Sequence, residues 1–308
     1  MLALGVDAGG TKVLGAIVDE DGDIVERQEL PTDFDRAEVS IRDVALALKE
    51  RKPGIGSLGV GAAGFIDLEG RITYAPNVRY GVADAGPWLA GELGLKVLID
   101  NDANCAAWAE WKFGSGRGST NMVMLTLGTG VGGGIVIGGR LYRGSNGMAG
   151  ELGHVVIDPA GGECACGRVG CLEAQASGNA IGRLARELGT VEAAEIAEDA
   201  GSESEELSGK QVAAAAQRGN RAALAVIERA GRSLGAALAD FTNIFDPDVF
   251  VIGGGASDAR EMILGPARDE LAEQIKGGRK TPEVILASLG NDAGVIGAAD
   301  LAREQGAR

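Results

Sequence analysis

Basic side chains are scarce in this sequence, and their shortage limits its possible partners. The 308 residues contain 29 Lys and Arg against 44 Asp and Glu, which gives a formal net charge of −15. Because nucleic-acid backbones are held chiefly by Lys and Arg, this balance argues against DNA or RNA as the main partner. It leaves open a small nucleotide, since backbone N–H groups at loops and helix N-termini also bind phosphate.

Long apolar runs are absent as well. Hydrophobic residues make up 45% of the chain, an ordinary proportion for a globular protein, yet no run approaches the length of a membrane span. The sequence opens directly in MLALGVDAGG, without the basic and then apolar stretches of a secretion signal. We therefore expect a cytoplasmic protein with no membrane partner.

Two common nucleotide-binding signatures are missing or misplaced. The Walker pattern G-x-x-x-x-G-K-[ST] does not occur in the sequence. The pattern G-x-G-x-x-G occurs at residues 59–64 and 128–133, but the residues after each match favour a strand. A dinucleotide site needs a helix at that point, so we reject a Rossmann-type oxidoreductase.

Glycine, by contrast, is abundant, and its 51 residues cluster where the backbone must turn tightly or approach something closely. One Gly-Thr turn lies in the first predicted hairpin, a second lies in a later hairpin of similar plan, and a third glycine turn ends a buried strand. Each alone is most simply a tight turn, but together they favour a polyphosphate site made of backbone N–H groups and Thr hydroxyls. Asp7 is placed to hold Mg²⁺ through water. The candidate residues for binding ATP and its phosphates are Asp7, Gly9, Gly10, Thr11 and Lys12, then Gly128, Thr129 and Gly130, then Gly254 and Gly255.

A carboxylate follows a short buried strand in the first half of the chain. The strand KVLID, residues 96–100, leads into Asn101, Asp102 and a helix over residues 103–113. Phosphorylation of a hydroxyl needs a carboxylate that accepts its proton, and Asp102 would stand on rigid elements. Asp102 could equally be the N-cap of the helix, and the residues alone leave both interpretations open. Asp100 is the weaker candidate, because we expect it on the other face of the strand end.

Histidine and cysteine are rare but cluster. The chain has one histidine and four cysteines, and Cys105 stands apart in an apolar helical pattern. Free thiols or a redox pair are alternatives, but C-x-C is a poor local disulfide and redox motifs are more often C-x-x-C. Three thiolates and one imidazole suit a closed, structural zinc site. The predicted zinc ligands are His154, Cys164, Cys166 and Cys171.

Strands and helices mix in two halves of the chain. A β-meander over residues 1–30 is repeated in outline at residues 121–142, and the part after residue 178 is mostly helical. This pattern predicts an α/β protein with two lobes and a cleft between them. We expect a small lobe of residues 1–118 plus a C-terminal helix at about 292–308, and a large lobe of residues 119–291.

These motifs together resemble the ROK family within the actin-like, ribonuclease-H-like sugar-kinase superfamily. The resemblance covers nearly the whole chain and implies an ATP-dependent sugar kinase that uses Mg²⁺, most directly one that converts glucose to glucose 6-phosphate. It departs from the family at residues 77–88, where a pattern Asn-Leu-x-Trp is more usual. The motifs that carry it are GVDAGGTK, GVGAAGFID, APNV, NDANCAAWAEWKFG, LTLGTGVGGGIVI, GELGH, CACGRVGCLE, FDPDVFVIGGG and GVIGAADLAR.

The resemblance also implies a role for individual residues. It favours Asp102 as the general base, with the two Gly-Thr turns on the phosphates and the third turn against the adenosine. Since Glu151 and Glu173 lie two or three residues from predicted zinc ligands, the metal would fix both carboxylates. The implied sugar-binding residues are Gly64, Asn101, Asp102, Glu151, His154 and Glu173.

Two alternatives remain at the level of the sequence. The family also contains sugar-responsive repressors, but these carry an extra N-terminal DNA-binding segment, and here the first phosphate turn begins at Asp7. A kinase for N-acetylglucosamine, N-acetylmannosamine or fructose is a second possibility that no single residue excludes. The family habit further implies a homo-oligomer, a dimer or a tetramer.

Overall fold

The computed structural model describes residues 1–76, 78–201, 206–254 and 260–306. The chain is a mixed α/β protein that divides into two compact units. The first unit comprises Met1–Val123, Gly134–Gly150 and Ala287–Arg308, and the second comprises Met124–Gly133 and Glu151–Leu286. Across the described ranges, no helix is both long enough and apolar enough to cross a membrane.

The first sheet has five strands in the order β3-β2-β1-β4-β7. The first three strands form the antiparallel meander that the sequence predicted, and β4 and β7 join β1 in parallel. A separate two-stranded ribbon pairs β5 with β6. The strands are β1 (Ala3–Ala8), β2 (Lys12–Val18), β3 (Ile24–Pro31), β4 (Ser57–Ala62), β5 (Phe65–Ile66), β6 (Ile72–Tyr74) and β7 (Lys96–Asn101).

Four helices accompany the first sheet. The helices α1 (Ala37–Arg51) and α2 (Ala85–Leu93) cover one face, where Ile41, Leu48 and Leu89 join the buried core of the sheet. The other two helices are α3 (Asp102–Lys112) and the C-terminal α10 (Ala293–Gly306).

Glycines let the C-terminal helix lie directly on the sheet. The helix α10 packs against β1, β4 and α3. A Cβ on Gly59 of β4 would lie 1.8 Å from the carbonyl oxygen of Ala298, so no side chain fits between strand and helix there. The abundance of glycine noted in the sequence therefore serves close packing as well as turns.

The second sheet repeats the plan of the first. Its order is β10-β9-β8-β11-β12, so a meander is again followed by further strands on the side of its first strand. The same order in both sheets confirms the duplicated plan that the sequence indicated. The strands are β8 (Met122–Leu127), β9 (Val131–Ile137), β10 (Arg140–Leu141), β11 (Val249–Gly253) and β12 (Glu283–Leu286).

The second unit is rich in helices. The long α8 packs on α9 through Gly231 and Gly235, whose absent side chains let the two backbones approach closely. Asn220 caps α8, and its side chain accepts the N–H of Ala223 at 2.9 Å. The helices of this unit are α4 (Glu173–Ala176), α5 (Gly178–Arg186), α6 (Thr190–Ala200), α7 (Gly209–Gln217), α8 (Arg221–Phe245) and α9 (Arg260–Gln274).

The segment Gly134–Gly150 belongs with the first unit, whereas the sequence-based boundaries placed it in the large lobe. Its contacts explain the assignment. A Cβ on Gly134 would lie 2.4 Å from the Cβ of Ala107, and one on Gly139 would lie 3.4 Å from the ring of Trp111. Both partners are on α3, far away in sequence, so local patterns carry no sign of this packing.

Candidate active site

The carboxyl ends of three parallel strands form one edge of the first sheet. In the strand register, Asp7 of β1 is opposite Gly61 of β4, which in turn is opposite Asp100 of β7. A Cβ on Gly61 would lie 3.4 Å from Cys105 Sγ and 3.5 Å from Asp102 Cα, so the start of α3 packs over this point of the sheet. The structure thus brings Asp7 close to the strand that delivers Asn101 and Asp102.

Asn101, and not Asp102, is the N-cap of α3. Its Oδ1 accepts the N–H groups of Ala103 at 2.9 Å and Asn104 at 3.1 Å, and its Nδ2 donates to the carbonyl of Gly64 at 3.1 Å. The interpretation of Asp102 as the helix cap is therefore wrong, because its neighbour already fills that role. Through these bonds Asn101 connects the predicted sugar-binding segment at Gly64 to the start of α3, where Asp102 lies.

Asp102 is the first residue of α3 and is half-buried. One carboxylate oxygen lies 2.9 Å from the N–H of Ala103. Burial raises the pKa of Asp102 above its ordinary value, although that N–H bond acts in the opposite direction. A carboxylate whose pKa is raised toward neutrality is a better proton acceptor than an ordinary surface Asp, which suits a general base.

Asp7 is a second half-buried carboxylate at this edge. Burial is the main cause that raises its pKa from 3.8 to about 7, the charge of Asp102 raises it further, and Lys12 lowers it. The start of α10 faces it, since a Cβ on Gly294 would lie 3.1 Å from Asp7 Oδ2. Because the charge of Asp102 raises the pKa of Asp7, a cation near Asp7 would be favoured.

The raised pKa of Asp7 predicts that this carboxylate costs stability in the ligand-free protein. Because the folded-state pKa lies above the unfolded one, the contribution of Asp7 to stability is most favourable below pH 4 and is lost as the pH rises through 7. We expect Asp7→Asn to raise the free energy of unfolding at pH 8 by a few kcal/mol at most, since one pKa unit corresponds to about 1.4 kcal/mol. Thermal unfolding without ligands should show this gain shrinking at pH 5, and an equal or larger gain at pH 5 would contradict it.

The first Gly-Thr turn joins β1 to β2 as a tight hairpin. The N–H of Gly9 donates to the carbonyl of Lys12 at 3.1 Å, and the hydroxyl of Thr32 donates to the carbonyl of Gly9 at 2.7 Å. Thr11 and Lys12 are exposed, whereas Gly10 is half-buried. Lys12 pairs with Glu29 through Nζ at 2.6 Å, so its ammonium is held along the meander beside the turn.

The second Gly-Thr turn, in the second unit, is fixed from two sides. The N–H of Gly128 donates to the carbonyl of Gly130 at 3.0 Å, and the carbonyl of Gly128 accepts the N–H of Gly178 at 2.8 Å. The third turn approaches the end of β8, because a Cβ on Gly254 would lie 2.1 Å from the carbonyl oxygen of Leu127. Its φ of 107° is one that glycine adopts readily. Gly255, also predicted in this turn, lies outside the described residues.

Glu173 links the second turn to the cysteine loop, which the sequence did not indicate. Its Oε2 accepts the N–H of Val131 at 3.0 Å, and a Cβ on Gly130 would lie 2.3 Å from the same oxygen. Its Oε1 lies 3.5 Å from the sulfur of Cys164. A predicted sugar-binding carboxylate is thus held between a predicted phosphate turn and a predicted metal ligand.

The four predicted zinc ligands are brought together in the second unit. The ligand atoms of His154, Cys164, Cys166 and Cys171 all lie within 4.8 Å of one another. Cys164 Sγ is 3.6 Å from His154 Nδ1, and the sulfurs of Cys166 and Cys171 are 3.7 Å apart. Tetrahedral zinc, with its usual Zn–S and Zn–N bonds, requires about 3.8 Å between sulfurs and about 3.6 Å between sulfur and nitrogen. The residues therefore fit a zinc ion.

The loop that carries the cysteines is shaped by glycine and by short bridges. Gly170 has a φ of 78°, and a Cβ there would lie 1.7 Å from the carbonyl oxygen of Asp158. His154 Nδ1 faces the cysteines, while its Nε2 lies 3.9 Å from a carboxylate oxygen of Glu151. One imidazole thus touches both the candidate metal site and a predicted sugar-binding carboxylate.

Reasoning from the sequence missed two residues of this site, Arg143 and Tyr80. Asp100 is paired with Arg143, a residue without any motif of its own. Tyr80 lies in the stretch that departs from the family pattern, and burial and the charges of Glu38 and Asp102 raise its pKa to about 12. A buried carboxylate such as Asp100 is expected to pair with a cation, but no local sequence pattern identifies Arg143 as its partner.

Known proteins similar to this chain agree with the fold and with these motifs. The model of the ROK family matches residues 3–305. A glucokinase of Streptomyces coelicolor is 41% identical over 98% of both chains, and an N-acetylmannosamine kinase of Escherichia coli is 34% identical over 98% of this chain and 99% of its own. The crystal structure of a ROK family glucokinase from Streptomyces griseus, in complex with glucose and AMPPNP, is 37% identical, with a TM-score of 0.86, over 99% of this chain and 100% of that one.

The fold is therefore the two-lobed, actin-like ATPase fold of sugar kinases, as the sequence predicted. Its repeated strand order and its two glycine hairpins are the features of this chain that express it. The chain belongs to the ROK family.

Proposed function

We propose that this protein is an ATP-dependent glucokinase, which transfers the γ-phosphoryl group of ATP to the 6-hydroxyl of glucose in the cytoplasm. The observation that carries the proposal is Asp102, half-buried at the end of β7, in a chain 41% identical along its whole length to a glucokinase. Relatives at 34% identity are named as N-acetylmannosamine kinases, so the preferred sugar is the part that most needs a test.

In this proposal Asp102 accepts the proton of the attacking hydroxyl as the new bond to phosphorus forms. Asn101 and the main chain near Gly64 hold sugar hydroxyls, and their mutual hydrogen bond at 3.1 Å supports a shared role. Glu151, His154 and Glu173 add further sugar contacts. Contacts with the cysteine loop support this assignment: Cys164 lies beside both His154 and Glu173, and His154 in turn lies beside Glu151.

The glycine turns would hold the nucleotide. Backbone N–H groups at Gly10 and Gly130 and the hydroxyls of Thr11 and Thr129 would bind its phosphates. Gly9 and Gly128, whose own N–H groups close the two turns, would shape the backbone beside the phosphates. The turn at Gly254 and Gly255 would lie against the adenosine. Mg²⁺, when bound, neutralises charge on the transferring phosphoryl group. Asp7 would hold it through water, and the pKa of about 7 agrees with a carboxylate that gains from a nearby cation.

The metal site would have a scaffolding role. His154, Cys164, Cys166 and Cys171 offer four protein ligands, so zinc would keep no open position for chemistry. It would instead fix the loop that carries Glu173 and the imidazole beside Glu151. In this proposal the enzyme works as a dimer or tetramer, as the family resemblance implies.

A coupled assay of ADP release over a panel of sugars tests the proposed substrate. We expect kcat/KM for glucose to exceed that for N-acetylglucosamine, N-acetylmannosamine and fructose by about tenfold or more, because an added N-acetyl group or a changed ring alters several hydroxyl contacts at once. A higher kcat/KM for N-acetylmannosamine would change the substrate and leave the kinase in place. If no sugar releases ADP, the proposal of a kinase fails.

A further inference from the structure

Asp100 is a buried carboxylate whose oxygens are both engaged. Only 4% of the residue is exposed. Its Oδ1 accepts the N–H of Asn101 at 2.8 Å and the Nδ2 of Asn104 at 3.0 Å, while its Oδ2 accepts Arg143 Nε at 2.7 Å and lies 2.6 Å from Arg143 Nη2. Four short contacts hold the residue directly before the candidate sugar ligand and base.

The cation comes from a distant segment of the first unit. Arg143 follows β10 and opens a loop that closes on itself, since the N–H of Ala149 donates to the carbonyl of Arg143 at 3.0 Å. The same chain continues through Gly150 into Glu151. Through its guanidinium, Arg143 therefore ties the loop that leads to one predicted sugar-binding carboxylate to the strand end that carries the base.

Asp100 and Arg143 share a charged neighbourhood with Asp102, since all three act on the pKa of Cys105. Three other titratable groups are close enough to interact with Asp102, namely Asp7 on β1, Tyr80 before α2 and Cys105 on α3, and Lys12 on β2 acts on Asp7. Lys12 is exposed and already paired with Glu29. Arg143 is thus the cation that compensates an acid directly on the catalytic strand.

We propose that Arg143 is a positioning residue for phosphoryl transfer, which clamps Asp100 and cancels its charge so that Asp102 keeps both its place and its affinity for the proton. The inference rests on the proposed role of Asp102 as the base. It follows from geometry, because two donors of Arg143 contact Asp100 Oδ2 while two amide groups hold Oδ1, so both oxygens of the carboxylate are fixed.

Because the charges of Asp100 and Arg143 cancel, removing one of them should move the acid limb of the pH profile in the opposite direction from removing the other. Removing Arg143 leaves the negative charge of Asp100 near Asp102, which favours protonation of Asp102 and moves the acid limb of the kcat/KM profile to higher pH. Removing the charge of Asp100 leaves Arg143 uncompensated and moves the limb to lower pH.

The experiment compares Arg143→Met, Asp100→Asn and the double variant, with pH profiles, separate kcat and KM values and melting temperatures for each. We expect Arg143→Met to lower kcat about tenfold or more with a smaller change in KM for ATP, and each single variant to move the acid limb by about half a pH unit or more, in opposite directions. The double variant should return the limb to the wild-type position, and Arg143→Lys should restore part of kcat. Arg140→Met, an exposed cation close by in sequence, is the matched control and should change none of these values.

Several results would overturn the inference. If Arg143→Met lowers only the melting temperature, while kcat and the acid limb stay as in the wild type, the residue is merely structural. If both single variants move the limb in the same direction, or not at all, the charge argument is wrong. A fully active Asp102→Asn variant would overturn the base assignment and this inference with it. If that variant is inactive, the base assignment stands, and the Arg143 and Asp100 variants then test the inference by themselves.

Discussion

Asp102→Asn should lower kcat by about 10³-fold to 10⁴-fold, at the upper end of what a positioned general base contributes. Asn is nearly isosteric and can still accept the N–H of Ala103 as Asp102 does, so the start of α3 keeps its geometry. The amide cannot accept a proton from the attacking hydroxyl, and the loss therefore falls on turnover. Steady-state ADP release gives kcat, while calorimetric titration with glucose and with AMPPNP shows whether binding survives.

Binding and folding must be shown to persist for that result to identify a base. Both dissociation constants should stay within about threefold of the wild type, because Asn101 and Gly64 are untouched. Asp43→Asn on α1 makes the same chemical change at an exposed site and should keep full activity. Turnover near the wild-type level in Asp102→Asn would show that another group accepts the proton.

Much of the fold could be predicted because local signals determine it. The meander, the strand β7 and the helix α3 follow from apolar spacing and from glycine turns, and the structure places all of them within a few residues of the predicted bounds. The cluster of His154 and three cysteines was also predictable, since ligand type and spacing carry the information. These features need no knowledge of distant contacts.

The helix cap at the active site could not be predicted in the same way. Asn101 and Asp102 are both good N-cap residues by type, and the outcome depends on where the chain leaves the strand. Asn101 keeps an extended backbone with a ψ of 142°, so its side chain reaches the free N–H groups and Asp102 is released from that task. One dihedral angle thus decides which of the two residues is the cap.

Long-range pairs account for the other misses. Arg143 and Asp100 are 43 positions apart, and Val131 and Glu173 are 42 apart. Each pair joins two segments that look self-contained in the sequence. Composition predicted that a buried acid would find a partner, but only the packing of the chain decides which cation or N–H group is within reach.

Cys166→Ser should remove most of the bound zinc and raise KM for glucose by about tenfold or more. The three remaining ligands cannot close a tetrahedral site, and a serine hydroxyl is a poor replacement for a thiolate. Without the metal, only weak contacts such as the 3.6 Å approach of Cys164 Sγ to His154 Nδ1 hold these side chains together, so Glu151 and Glu173 are positioned less firmly. Metal content by mass spectrometry, the melting temperature and KM for both substrates measure the effect.

The size of the effect on each substrate tells what the metal does. If the ion is scaffolding for the sugar-binding carboxylates, KM for glucose should rise more than KM for ATP, although Glu173 also holds the Val131 N–H beside the second turn. Cys105→Ala changes the buried cysteine outside the cluster and should keep one zinc per chain. A wild-type protein that is fully active after chelation, with no zinc bound, would show that the cluster has another purpose. A rise in KM for ATP alone would place the work of the metal at the phosphate turn instead.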